Sequence, residues 1–352
     1  SRTCAWLDEG AAFDVAAGVT VKLARLFLDG AEVAAGTYAR EADDGVTAAD
    51  WVAGDGRVVV SGSVTSGSAS VWLGGASGAW GEASNWSRGV PSGSVSPAFA
   101  VRGDTEITLA ATDVLPATLD LSSPVGSVRC LVDEGRSFSS GTVNVGKECQ
   151  LVLDGRTVVS GSTVVTVAGG EVLVPEGCEL CITNAFTGSF ELSGTAERPG
   201  RLTVSNALLT VALDSPSSTK RLLVSPGGRL EAMDSTVRIV TANAGQPIYA
   251  NGGEVRTKGA SIWEYKLPPA SQSGVQAVFS CGDIVLGGTT VLKGNYEKYV
   301  DTKGKTNTNS GGSLTLSPAN AGESVRLRFE DQASLEYRDG FTIGNESGTT
   351  SV

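Results

Sequence analysis

The chain has 352 residues, 46 of them Gly, with 18% charged side chains, a formal charge of −11 and no His. The missing His removes Ser/His/Asp and Cys/His catalysis, His-ligated zinc and the ordinary general base near neutral pH. The acidic balance opposes nucleic-acid binding, which needs a Lys/Arg surface, and no stretch reaches the ~20 apolar residues of a membrane span.

The chain opens at Ser1 without Met, as expected of a processed or truncated piece of a longer polypeptide. Five of the six Trp, namely Trp6, Trp51, Trp72, Trp80 and Trp86, precede residue 87. Residues 1–62 read as the end of a preceding β unit, with apolar phrases at 24–30, 35–38 and 51–62. A Ser/Gly-rich stretch at 63–70 suits a linker. Residues 71–100 form a Trp-rich opening or capping segment. Trp72, Trp80 and Trp86 are its candidate cap residues or, alternatively, sugar-contact aromatics.

From 101 to 352 one pattern recurs, a short alternating strand followed by a Gly/Ser/Asn/Asp turn. It is seen at 150–155, 170–175, 188–194, 200–205, 228–232, 253–257, 312–317 and 324–330. At 200–205, Leu202 and Val204 share one face while Arg201, Thr203 and Ser205 share the other. The phrase returns in the same orientation at a common interval of roughly twenty residues, the mark of a solenoid. An antiparallel sandwich is the competing arrangement. Asn251-Gly252 is the only Asn-Gly dipeptide, so tight two-residue hairpins are not the usual connection. The predicted fold class is therefore all-β, a parallel β-helix (β-solenoid) body preceded by a smaller Trp-containing β region. Leu151, Leu173, Leu192, Leu202, Leu230, Leu314 and Leu327 are expected to point inward.

The phrase Trp72…Trp80…Asn85-Trp86…Gly89…Pro91 resembles the opening of the autotransporter-associated β-strand repeat proteins. Residues 26–60, with Asp29-Gly30, Gly36-Thr37-Tyr38 and Gly54-Asp55-Gly56, resemble the phrase that closes a unit in such proteins. The resemblance implies a parallel β-helix passenger-type bacterial surface protein, acting as an adhesin, a stalk or a matrix component. It also implies a secreted or cell-surface location.

Little else in the sequence points to chemistry. Carbohydrate-active β-helices need two or three carboxylates on one outer face. Asp120, Asp133, Glu134, Asp154, Glu191 and Asp234 are the candidates, but each reads first as a turn residue, so no catalytic residue is assigned. No cofactor or metal site is expected: Asp43-Asp44-Gly45 lacks the calcium-loop pattern, and Cys178 and Cys181 form the only C-x-x-C pair. Arg102-Gly103-Asp104 reads as a turn, and Asn85 and Asn345 match the N-glycosylation pattern. Cys4, Cys130, Cys149, Cys178, Cys181 and Cys281 suggest one or two disulfides in an oxidising compartment, with buried free thiols the alternative. Cys130 and Cys149, 19 residues apart, could pair across adjacent turns. Residues 293–310 read as a protruding Lys-rich loop. The expected function is a non-enzymatic structural or adhesive module, self-associating or contacting surface glycans, without nucleic acid or a membrane span. The alternative is a polysaccharide-binding or polysaccharide-degrading β-helix.

Overall fold

A computed structural model describes residues 4–7, 10–28, 31–61, 69–99, 101, 103–123, 126–213, 221–240, 247–266 and 283–294, with short strands at 300–301, 314–316, 326–331, 334–336, 342–344 and 350–351. The chain divides into two compact units, Ser1–Ala69 and Ser70–Val352. The expected linker at 63–70 lies mostly outside the described residues, as does most of the expected loop at 293–310.

The first unit is a small β body. Thr20–Leu23 pairs parallel with Arg57–Val60, which pairs antiparallel with Gly36–Ala39. Val15, Leu23, Leu26, Trp51, Val52, Val58 and Val60 make its core. Tyr38 stacks obliquely on Trp51 at 4.9 Å.

The second unit is a parallel β-solenoid, as the recurring phrase predicts. A full turn lays one strand in each of three sheets, and up to Arg326–Asp331 the strands pair parallel with their equivalents one turn away. Ten strands from Ser77–Ala79 to Leu314–Leu316 form the first sheet, nine from Ser137–Phe138 to Thr350–Ser351 the second, and six from Thr118–Leu121 to Ile248–Tyr249 the third. Apart from a single 3-10 turn at Ala83–Asn85 there is no helix among the described residues.

Register organises the interior. In the first sheet Ile107, Cys130, Leu151, Val172, Leu202, Leu230 and Val255 stand one above another, separated by 21 to 30 residues of chain. A second column runs Val174, Val204, Ala232, Thr257. Leu180, Leu209, Val237 and Trp263 stack in the second sheet, and Leu119, Val143, Val165, Phe190, Leu222 and Ile248 in the third. All are buried and, Thr257 excepted, belong to one continuous hydrophobic cluster. A side chain so buried contributes roughly 1.5–3 kcal/mol relative to exposure, and each column repeats that gain on every turn.

The corner between the first and second sheets explains the Gly/Asn/Asp punctuation. Gly155, Asn206, Asp234, Gly259 and Gly288 turn the chain there with φ between 49° and 63°. Only Gly, and secondarily Asn and Asp, enter this left-handed region at low cost. Asp234 Oδ1 also accepts a hydrogen bond from Ala260 N at 2.7 Å, tying one corner to the next. Behind the corner the hydroxyls of Ser235 and Ser261 reach Val204 O and Ala232 O, and Thr257 bonds Thr290 at 2.7 Å. The corner's backbone polar groups are thus satisfied inside the stack.

One expectation about the core requires correction. Leu151, Leu192, Leu202 and Leu230 point inward, but Leu173 does not: Val172 lies opposite Leu151 and Leu202, which turns Leu173 to the outer face. Leu314 and Leu327 lie in strands at register positions opposite Ile284 and Thr290, and their side chains lie outside the described residues. At the far end the parallel pattern stops. Thr350–Ser351 pairs antiparallel with Arg326–Asp331, and Thr342–Gly344 antiparallel with Ser334–Glu336.

This register separates two substitutions of one residue type. Leu202→Asp places an unpaired carboxylate in the core and is expected to cost upwards of about 4 kcal/mol, whereas Leu173→Asp should cost about 1 kcal/mol. Urea unfolding followed by far-ultraviolet circular dichroism checks both. Gly288→Val should lower stability by at least about 2 kcal/mol through its left-handed backbone. A Cβ there would also stand 2.3 Å from Gly259 O, so melting temperatures of Gly288→Ala and Gly288→Val should both fall.

Candidate functional site

Alternation puts every second side chain of a strand outside, and parallel register then stacks those side chains as it does the core. In the first sheet this yields an outward column of Glu106, Arg129, Gln150, Glu171, Arg201, Arg229 and Glu254. Its members bond mostly to one another. Arg129 donates to Glu106 at 2.8 Å and to Gln150 at 3.0 Å, and Gln150 donates to Glu171 at 2.7 Å. The second carboxylate oxygen of Glu171 accepts from Thr203. Glu254 accepts from Arg229 at 3.2 Å and Arg256 at 2.6 Å. The neighbouring column adds an ion pair between Lys258 and Glu231.

Arg201 breaks the sequence of bonds. Its guanidinium has no hydrogen bond or ion pair among the described residues, and its Nε is buried. It borders a polar cleft of about 290 Å³, shared with Glu148, Gln150, Glu171, Glu197 and Arg198. Arg198 bonds Glu148 at 3.1 Å. The Glu197 carboxyl is held below its ordinary value by its own backbone N–H and the Thr195 hydroxyl. The first unit has a cleft of about 340 Å³ between Arg40, Asp43, Asp55 and Arg57, closed on itself by ion pairs of 3.2 and 3.7 Å.

The carboxylates singled out from sequence are not brought together as a set. Asp120 and Glu191 share an outward column of the third sheet but are three rungs apart, about 14 Å at ~4.8 Å per rung. Glu191 accepts from Ser225 at 2.7 Å. Asp133 and Asp154 follow the first-sheet strands on successive turns; Asp154 caps Gly155 N at 3.0 Å and accepts from the Cys178 thiol. Glu134 packs its stem where a Cβ on Gly155 would lie. Asp234 serves the corner described above. Asp43 caps Asp44 N at 2.8 Å and pairs with Arg57, and Asp104 accepts from Ser127 at 2.6 Å. Asn85 donates to Ala79 O; Arg102 and Asn345 lie outside the described residues. No cluster of three or more His, Cys, Asp or Glu with metal-binding geometry occurs among the described residues.

The tryptophans of the 71–100 segment belong to the core. Trp72, Trp80 and Trp86 are 5%, 0% and 3% exposed, too little to offer a ring face to a sugar, which corrects the sugar-contact alternative. Trp86 meets Trp72 edge-on at 5.0 Å and Trp80 at 4.8 Å, and donates to Trp80 O at 2.8 Å. These rings join the cluster of Ile107, Leu109 and Leu119 beside the first rung, Ser77–Ala79.

The proposed Cys130–Cys149 disulfide is also corrected. A turn of 21 residues sets Cys130 opposite Leu151, so Cys149 is offset along the ladder, and both are buried free thiols. Cys178 and Cys181 are likewise free and buried, and Cys281 lies outside the described residues. Burial pushes the Cys130 thiol from 9.0 up to about 12 against a weaker opposing pull from Arg136.

No protein-family model, curated protein or solved structure matches this chain. What the structure shows is the parallel β-solenoid itself.

The Cys130 shift carries a pH dependence. The folded state keeps this thiol neutral while the unfolded chain ionises it, so its contribution is intact below pH 9.0 and is lost between there and about 12. Within that window wild type should lose up to about 1.4 kcal/mol more per pH unit than Cys130→Val. Denaturant titrations at a series of alkaline pH values would reveal the difference; parallel curves for the two proteins would contradict the buried placement.

Proposed function

We propose that this chain is a non-enzymatic structural or adhesive module of a secreted or cell-surface bacterial protein, partnered by further copies of itself or by surface glycans. The observation that carries the reading is the use made of the charged side chains. Along the first sheet they are mostly bonded to their neighbours from rung to rung, an arrangement that stiffens a scaffold rather than gathering an acid and a base around one substrate bond. The resemblance of the Trp phrase to surface-exposed repeat proteins supports the same location.

The alternative, a polysaccharide-binding or polysaccharide-degrading β-helix, is favoured by one feature, the polar cleft beside Arg201. Immunogold labelling of the source cells separates the two readings. Label on stalks, filaments or a sheath is the expected outcome. Cytosolic label, or a purified monomer that releases products from a panel of polysaccharides, would overturn the structural proposal.

A further inference from the structure

We propose that Arg201 is the anchoring residue of a binding site for a carboxylate-bearing glycan on the outer face of the first sheet. This deepens the surface role by naming the ligand that an adhesive face would hold, and it rests on that role.

The case begins with the rung-to-rung bonding of the outward column. From Glu106 to Glu254, Arg201 alone lacks a partner among the described residues. The nearest carboxylate in register, Glu171, has both oxygens engaged, by Gln150 and by Thr203. On its other side stands Arg229, a like charge directly across the ladder, whose own bond runs onward to Glu254. Like charges in that relation repel, and among the described residues no carboxylate is bonded to Arg201 in return. With Nε buried, the four N–H donors of the terminal nitrogens are thus left at a half-buried position without an acceptor among the described residues. A planar carboxylate is the group that fork fits in a bidentate manner.

The surroundings select the carrier of that carboxylate. Small-molecule pockets are enclosed and largely apolar, whereas the cleft beside Arg201 is polar and opens on a face of stacked strands. Gln150, Glu171 and Glu197 offer acceptors to sugar hydroxyls, the Arg198–Glu148 pair is closed on itself, and Arg201 is left as the cation of the cleft without a bonded carboxylate among the described residues. An acidic sugar chain lying across the rungs satisfies both the fork and the polar walls.

Calorimetric titration with polygalacturonate, galacturonic acid and neutral dextran tests the site. Wild type should bind polygalacturonate, not dextran, with affinity that falls as salt rises. Arg201→Gln should weaken binding at least tenfold. Arg201→Lys should recover it only in part, because the fork is lost. Arg156→Gln, which removes a paired Arg from the second sheet, should bind as wild type. Since Arg201 makes no hydrogen bond or ion pair among the described residues, its variants should melt with wild type, which separates lost binding from lost structure. Polymer bound equally by Arg201→Gln, or not bound at all, overturns the proposal. Galacturonic acid matching the polymer would overturn the glycan assignment. Absent uronate binding with surface label intact rejects this site alone; cytosolic label with uronate binding intact rejects the surface role alone.

Discussion

Vertical register, the placing of each residue over its equivalent in the next turn, is the constraint on which the second unit depends. A slip of one residue would exchange Leu202 and Val204 for Arg201 and Thr203 in the interior and expose the apolar set. The left-handed corner holds that register. Gly155, Asn206, Asp234, Gly259 and Gly288 give nearly the same bend in nearly the same place, so successive strands start in phase whatever the length of chain between them. Turns of 21 and of 30 residues coexist because the surplus is taken up at other corners, such as the six residues between Glu179–Ile182 and Ser189–Ser193.

The same register governs the outside. Once strands are stacked in phase, outward side chains have no choice of neighbour, and charges of opposite sign become partners without any device beyond the repeat. Exposed pairs of this kind are individually weak, roughly 0–1 kcal/mol. Their value lies in continuity, because Arg129 joins Glu106 to Gln150 and Gln150 goes on to Glu171. The ladder also makes an exception conspicuous. A lone Arg on an ordinary surface would carry no information, whereas in a column that otherwise bonds to itself it marks a place where the fold leaves a cation to something else.

Much of this architecture could be read from the residues, and the misses have physical causes. The phrase at 200–205 alternates cleanly in sequence, and Leu202 and Val204 face inward as expected, while Thr203 is on the outer face in register yet is buried there beside Glu171. Residues 172–174 are apolar three in a row, so alternation leaves two phases open and only the neighbouring turns choose between them; Leu173 fell on the wrong side. The pairing of Cys130 with Cys149 failed by two residues, the gap between a spacing of 19 and a turn of 21. The Trp cluster was visible as a composition shift, but which way a ring faces depends on the rung beside it. Arg201 was equally hidden, since its isolation is a property of the column and not of its own strand.

A stack joined only between successive turns has a further consequence. Stability in such an array is a sum of rungs and of contacts between adjacent rungs, and order can spread from any formed rung to the next. Here the bulkiest packing, the Trp72, Trp80 and Trp86 cluster, lies at the N-terminal rung, and each later strand needs only the preceding turn as its template. Order that starts at that rung can therefore advance one turn at a time along the chain. Each added turn sets one more residue on every apolar column, so the length of the stack and its stability grow together.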